Sequence, residues 1–82
     1  MTEQEIYNDV VSIIKEYAPD LAEGKELNMD TKVNTETAID SMGFVLIVAK
    51  IENKYQIKIS DRQMNKFSTI GDLVRYIAKK IN

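Results

Sequence analysis

No cysteine and no histidine occur anywhere in this 82-residue chain. Neither a disulfide nor a zinc site can therefore hold it together. A chain of this length makes one domain and buries only roughly 60–65% of the surface its unfolded form exposes. Helix formers dominate, with one proline and three glycines, so stability has to come from helices packing apolar faces. The same absence removes the usual thiol nucleophile and the usual neutral-pH base. If such a chain handles reactive chemistry, the reactive group must be attached to it.

A composition of 44% hydrophobic and 29% charged residues is globular, and a net charge of −2 argues against a nucleic-acid partner. No apolar run is long enough to span a bilayer, and no secretory signal opens the chain. The expectation is a cytoplasmic monomer, with neither nucleic acid nor membrane as partner. No repeat or low-complexity tract interrupts residues 1–82, which read as a single domain.

Thr2 and Glu5 have the spacing of a capping box, which starts a first helix. Ile6, Val10, Ile13, Ile14 and Tyr17 follow helical spacing as one buried stripe, and Pro19 ends the helix at Tyr17 or Ala18. Residues 19 to 40 form a long connection broken by Gly24, with turn or cap chemistry at Asp30-Thr31 and Asn34-Thr35. Leu21, Leu27, Met29, Val33 and Ile39 are its candidates for the core. A second helix runs from Ser41 to Tyr55 with Asp40 as its N-cap. Ile57 and Ile59 lead to Ser60, whose spacing to Gln63 predicts a short third helix anchored at its end by Phe67. The alternating Ile57-Lys58-Ile59 has no partner strand and does not support a sheet. A last helix starts at Ser68 or Thr69 and carries Ile70, Leu73, Val74, Ile77 and Ile81 on one face. The predicted fold is all-α: a small bundle of three main helices and one short helix, with a long loop between the first two.

The second helix has two apolar faces. At about 100° per residue, Phe44, Ile47, Val48, Ile51 and Tyr55 share one side, while Met42, Val45, Leu46 and Ala49 share the other. Few elements remain in so short a chain to cover both. The longer stripe is the better core. The Met42/Val45/Leu46/Ala49 face is then a docking surface, unless the long first loop folds over it.

That face lies beside Asp40-Ser41-Met42-Gly43. A serine in the first turn of a helix sits where unpaired backbone donors and a partial positive charge favour a phosphate. Asp and Ser are also favoured helix caps everywhere, so the dipeptide alone is equally an ordinary cap.

Asp40-Ser41-Met42, after a long loop and at the start of the second helix, resembles the Asp-Ser-Leu site of acyl and peptidyl carrier proteins. The run from Ile51 to Asp61 resembles that family's end of helix two and entry to helix three, and Phe67 to Ile77 resembles its last helix and preceding turn. The similarity covers essentially the whole chain. It implies that Ser41 receives a 4′-phosphopantetheine arm from coenzyme A through a phosphodiester made by a separate magnesium-dependent phosphopantetheinyl transferase. The arm's thiol would carry an acyl or aminoacyl group as a thioester. Asp40 would cap the helix and help hold the transferase's magnesium. The implied partners are that transferase, an acyl- or aminoacyl-loading ligase or transferase, and downstream enzymes that use the thioester.

The chain departs from the family in charge. Carriers of bacterial fatty-acid synthesis usually have an acidic second helix that meets basic patches on partners. Between Ser41 and Tyr55 the only acid here is Glu52, outnumbered by Lys50 and Lys54. Gly43 and Leu46 stand where such carriers often have acids. Steering to a basic partner is therefore weak, and docking through Met42, Val45 and Leu46 is largely apolar. That pattern looks more like standalone carriers of nonribosomal peptide, polyketide or other specialised acyl pathways. Met42 in place of leucine conserves volume. Phe44 would fill space where fatty-acid carriers shelter an acyl chain, although simple core packing explains it equally.

The rival reading is an unmodified helical interaction module that binds partners through the same outer face. An enzyme is poorly supported, because adjacent Asp40 and Ser41 have no histidine or convincing lysine base and form no relay. Lys79 and Lys80, and Glu3 and Glu5, complement helix dipoles. The tyrosines read as packing residues.

Overall fold

A computed structural model describes residues 1–17, 27–33 and 39–82, with the Ser41 side chain outside the described set. Among the described residues four helices follow in chain order: α1 (Glu3–Tyr17), α2 (Ser41–Tyr55), α3 (Asp61–Met64) and α4 (Ile70–Ile81). No strand occurs among the described residues, where the one isolated β-bridge pairs Lys32 with Thr69. The expected small helical bundle is the observed fold. The expectations for Ala18, Pro19, Leu21, Gly24, Asn34 and Thr35 fall outside the described residues. No described helix is long and apolar enough to cross a membrane.

Each helix starts on a local side-chain bond. Thr2 Oγ1 accepts the Glu5 N–H at 3.2 Å and Glu5 Oε1 accepts the Thr2 N–H at 2.9 Å, so Thr2 caps α1 from outside it. Ser60 Oγ accepts from the Gln63 N–H at 3.1 Å. Thr69 has extended backbone and forms a full capping box with Asp72, which is why α4 opens at Ile70 rather than at Ser68 or Thr69.

One core joins the helices. Ile6, Val10, Ile13 and Ile14 of α1 meet Ile47, Val48 and Ile51 of α2 and Ile70, Leu73, Val74 and Ile77 of α4, all buried. Val33, Ile39, Ile59 and Phe67 complete it, and Leu27 and Met29 pack against it half-buried. Burying each such aliphatic side chain is worth roughly 1.5–3 kcal/mol. Tyr17 corrects the expected stripe: it is 40% exposed at the last position of α1, where an amphipathic ring keeps its polar end in water. The other tyrosines do more than pack. The Tyr55 hydroxyl donates to Asp9 Oδ2 at 2.6 Å, fastening α2 to α1. Lys80 lies 5.5 Å from the centroid of the Tyr76 ring, which meets Phe67 edge-on.

The segment from Leu27 to Val33 is stitched between α1 and α4 by backbone groups. Tyr7 Oη donates to the Leu27 carbonyl at 2.5 Å. Asn28 and Thr31 build a turn, with Asn28 Oδ1 accepting from Asp30 N–H and Thr31 Oγ1 accepting from Asn28 N–H. Beyond it, Gly71 N–H donates to the Met29 carbonyl at 2.8 Å, Ile70 N–H to the Thr31 carbonyl at 2.9 Å, and Val33 N–H to the Ser68 carbonyl at 2.9 Å. The first amides of α4, which no intrahelical carbonyl can reach, are thus satisfied by the loop.

This stitching requires Gly71. A Cβ there would stand 2.8 Å from the Met29 carbonyl oxygen and 2.9 Å from the Arg75 guanidinium. The guanidinium can swing away, but the carbonyl cannot without giving up its bond. Helix propensity alone favours alanine over glycine by about 1 kcal/mol. Gly71→Ala is instead expected to destabilise the fold by about 1–3 kcal/mol, read as a lower urea midpoint with unchanged slope.

Asp72 accepts from Ser68 N–H at 2.8 Å and from Thr69 N–H at 3.0 Å. These backbone bonds, that from Thr69 foremost, hold its carboxyl below the ordinary aspartate value of 3.8 against a smaller effect of burial. The folded chain therefore binds this proton more weakly than the unfolded chain. The carboxylate's contribution is complete above the ordinary value and is lost as pH falls through the lowered one. In urea titrations between about pH 5 and 2, Asp72→Asn should show a flatter acid limb than the parent, and the two stabilities should draw together at the acid end.

Candidate functional site

The start of α2 is built by Asp40. Its backbone is extended (φ −80°, ψ 178°), its Oδ1 accepts the Gly43 N–H at 2.8 Å, and its carbonyl accepts the Phe44 N–H at 2.9 Å. Gly43 suits this closure: a Cβ there would lie 3.0 Å from Ile39 Cγ2 and 3.3 Å from Asp40 Oδ1. In the sequence Gly43 reads only as a missing acid. A glycine three residues after a capping aspartate was the signal that the cap packs tightly.

Ser41 is the first residue of α2. The amides of Ser41 and Met42 lie outside the two bonds that Asp40 accepts. The first turns of α1, α3 and α4 carry Glu3 and Glu5, Asp61 and Asp72, whereas that of α2 carries no acid. Among the described residues of the cap and first turn, Asp40 is thus the acid that offsets the partial positive charge of this terminus. The start of α4 is otherwise engaged, its donors taken by Met29, Thr31 and Thr69.

The expected division of α2 into two faces is observed. Phe44, Ile47, Val48 and Ile51 are buried, while Met42, Val45 and Leu46 are 69%, 46% and 45% exposed and Ala49 is exposed beside them. Asp40 is exposed at the same end. The structure thus gathers a capping carboxylate, the serine position and an uncovered apolar strip on one side of the molecule. Phe44 belongs to the core.

At the other end of α2 the chain reverses through Gln56 in left-handed backbone (φ 56°), whose N–H returns to the Glu52 carbonyl. Glu52 Oε2 accepts the Ile59 N–H at 2.8 Å, fixing the entry to α3. Burial first, and then the bond to Asp9, push the Tyr55 phenol well above its ordinary range, so it stays a neutral donor.

A covalent phosphodiester fits the start of α2 better than the other helix starts, because a helix N-terminus without first-turn acids favours an anion. The match to known proteins agrees. The family model described as a phosphopantetheine attachment site matches residues 9–77. An acyl carrier protein of Thermotoga maritima is 32% identical over 78 residues, 95% of this chain and 94% of the relative. An acyl carrier protein of Exiguobacterium sibiricum is 31% identical over 81 residues, covering 99% and 100%. The meromycolate extension acyl carrier protein of Mycobacterium tuberculosis is 33% identical over 79 residues, covering 96% and 67%.

These are small carriers, proteins that hold a prosthetic group and present it to enzymes without being enzymes themselves. The chain belongs to the phosphopantetheine-binding family of acyl and peptidyl carrier proteins, and its prosthetic group is covalent 4′-phosphopantetheine. In this family that group supplies the thiol that a chain without cysteine lacks.

The cap can be separated from the charge. Asp40→Ala should cost about 1 kcal/mol of stability and Asp40→Asn only a few tenths, since asparagine caps nearly as well. Paired urea unfolding curves would check both.

Proposed function

We propose that Ser41 carries the 4′-phosphopantetheine arm and that residues 1–82 act as one carrier domain for acyl groups bound as thioesters. The observation that carries this reading is Ser41 opening α2 behind the Asp40 cap, beside the exposed strip of Met42, Val45 and Leu46. The arm's phosphate would meet the favourable end of the helix. Asp40, exposed at that end, would present its carboxylate to the magnesium of the phosphopantetheinyl transferase. Met42, Val45, Leu46 and Ala49 would form the docking surface for that transferase, for the loading enzyme and for the enzymes that consume the thioester.

An acyl cargo is supported by relatives named as acyl carrier proteins, one of them for meromycolate extension. The second helix, with Glu52 as its one acid, supports a specialised pathway, of polyketide or nonribosomal-peptide type, over housekeeping fatty-acid synthesis. Loading of the holo protein by a malonyl transferase rather than by an amino-acid-adenylating ligase would mark the cargo as acyl.

The decisive experiment is intact mass after incubation with coenzyme A, magnesium and a broad-specificity phosphopantetheinyl transferase. One phosphopantetheinyl addition is expected, absent in Ser41→Ala. Asp40→Asn, folded but uncharged at the cap, should be modified at least about tenfold more slowly. No addition to the folded parent, with a known carrier modified in parallel, would turn the reading to an unmodified interaction module that uses the same apolar strip.

A further inference from the structure

The sulfur of this chain lies in four methionines and no cysteine. Met29 and Met64 are half-buried against the core. Met1, ahead of α1, is 52% exposed, and Met42, at 69%, is the most exposed of the four. Met42 also stands in the first turn of α2, next in the chain to Ser41. Side chains of a helix lean toward its N-terminus, so that of Met42 leans to the end where Ser41 and the Asp40 cap stand. Val45 and Leu46, three and four positions on, continue its surface and are exposed.

Between Ser41 and Lys50 no residue has a polar side chain. An enzyme that acts on the Ser41 hydroxyl therefore meets Met42 and an uncharged surface behind it, whatever the rest of its footprint. A thioether, unlike the hydrocarbon side chains beside it, is oxidised by hydroperoxides to a polar, chiral sulfoxide. Leucine would fill the same volume without that chemistry. A sulfoxide at Met42 would be the first polar group in this run, placed at its head.

We propose that Met42 is a reversible oxidation site and that its sulfoxide slows attachment of the arm at Ser41. The inference rests on the carrier reading and adds a redox control to its first step. The oxidant is a hydroperoxide. The Met42 sulfur gives an electron pair to the outer peroxide oxygen, an S–O bond forms and the O–O bond breaks. Sulfur is oxidised by two electrons. The hydroxide or alkoxide that leaves takes the proton from the transferred oxygen, as water or an alcohol. A methionine sulfoxide reductase, drawing two electrons from a dithiol, returns the thioether and releases water. The sulfoxide oxygen is a hydrogen-bond acceptor, and docking an apolar face on it buries that acceptor unpaired. Met42 is exposed, so its oxidation leaves the core untouched.

The test uses the full chain without its arm, in which the methionines hold all the sulfur. Parent and Met42→Leu are treated with dilute hydrogen peroxide, the excess is destroyed with catalase, and peptide masses identify the oxidised methionines. Coenzyme A, magnesium and a broad-specificity phosphopantetheinyl transferase follow, and each protein's initial rate of mass addition is divided by its own untreated rate. Met42 should oxidise ahead of Met29 and Met64, and the treated parent should be modified about five- to twentyfold more slowly. Treated and untreated Met42→Leu should differ by less than about twofold. Sulfoxide reductases for both epimers should restore the treated parent, and urea curves should superimpose before and after treatment. Met42→Gln, polar at the same place with no sulfur to oxidise, should be slow without any peroxide. Resistance of Met42 at doses that oxidise Met29 or Met64, an unchanged rate with Met42 oxidised, or equal slowing of Met42→Leu would overturn the proposal. No addition to the untreated parent, with a known carrier modified in parallel, removes the carrier reading itself and is distinguishable from a loss of redox sensitivity alone.

Discussion

The rotation of α2 about its own axis is fixed by Phe44, Ile47, Val48 and Ile51 entering the core. Turning the helix by half a turn would expose those residues and bury Met42, Val45, Leu46 and Ala49, which offer less apolar surface. With each large aliphatic side chain worth roughly 1.5–3 kcal/mol on burial, the orientation is strongly set. Everything functional follows from it. The strip beside Ser41 is left in water because the opposite strip is the better core, and α1, packed on both α2 and α4, holds that choice in place.

Helix ends do the remaining work, and they do it differently. The start of α4 is a structural joint, where the carbonyls of Met29 and Thr31 consume the free amides and Gly71 admits the loop. The start of α2 is capped by one carboxylate and carries no other acid in its first turn. The same physics of unpaired donors thus closes a loop at one terminus and leaves the other suited to an anion.

Much of this was legible residue by residue. Asp40 was readable as a cap and Ser41–Tyr55 as a helix because both depend on groups three or four positions apart. The two faces of α2 were readable from the spacing of its apolar residues. The pairing of residues 29–33 with α4 was not, since it is made by backbone carbonyls that every residue possesses, and only Gly71 left a trace in the sequence. The bond from Tyr55 to Asp9 spans 46 residues and has no local signature. Tyr17 continued the helical spacing but not the burial, because periodicity says which side a residue faces and not where the neighbouring helix ends.

The sequence by itself determined the all-helical class, the caps, the serine at the head of α2 and the existence of a second apolar face, all consequences of short-range spacing and residue chemistry. Only the tertiary structure decided that residues 29–33 bond to the start of α4, that Tyr55 reaches Asp9, and that Tyr17 stays outside the core. Those outcomes depend on which elements meet, and contacts between elements distant in the chain are set by the packing of the whole core rather than by any local pattern.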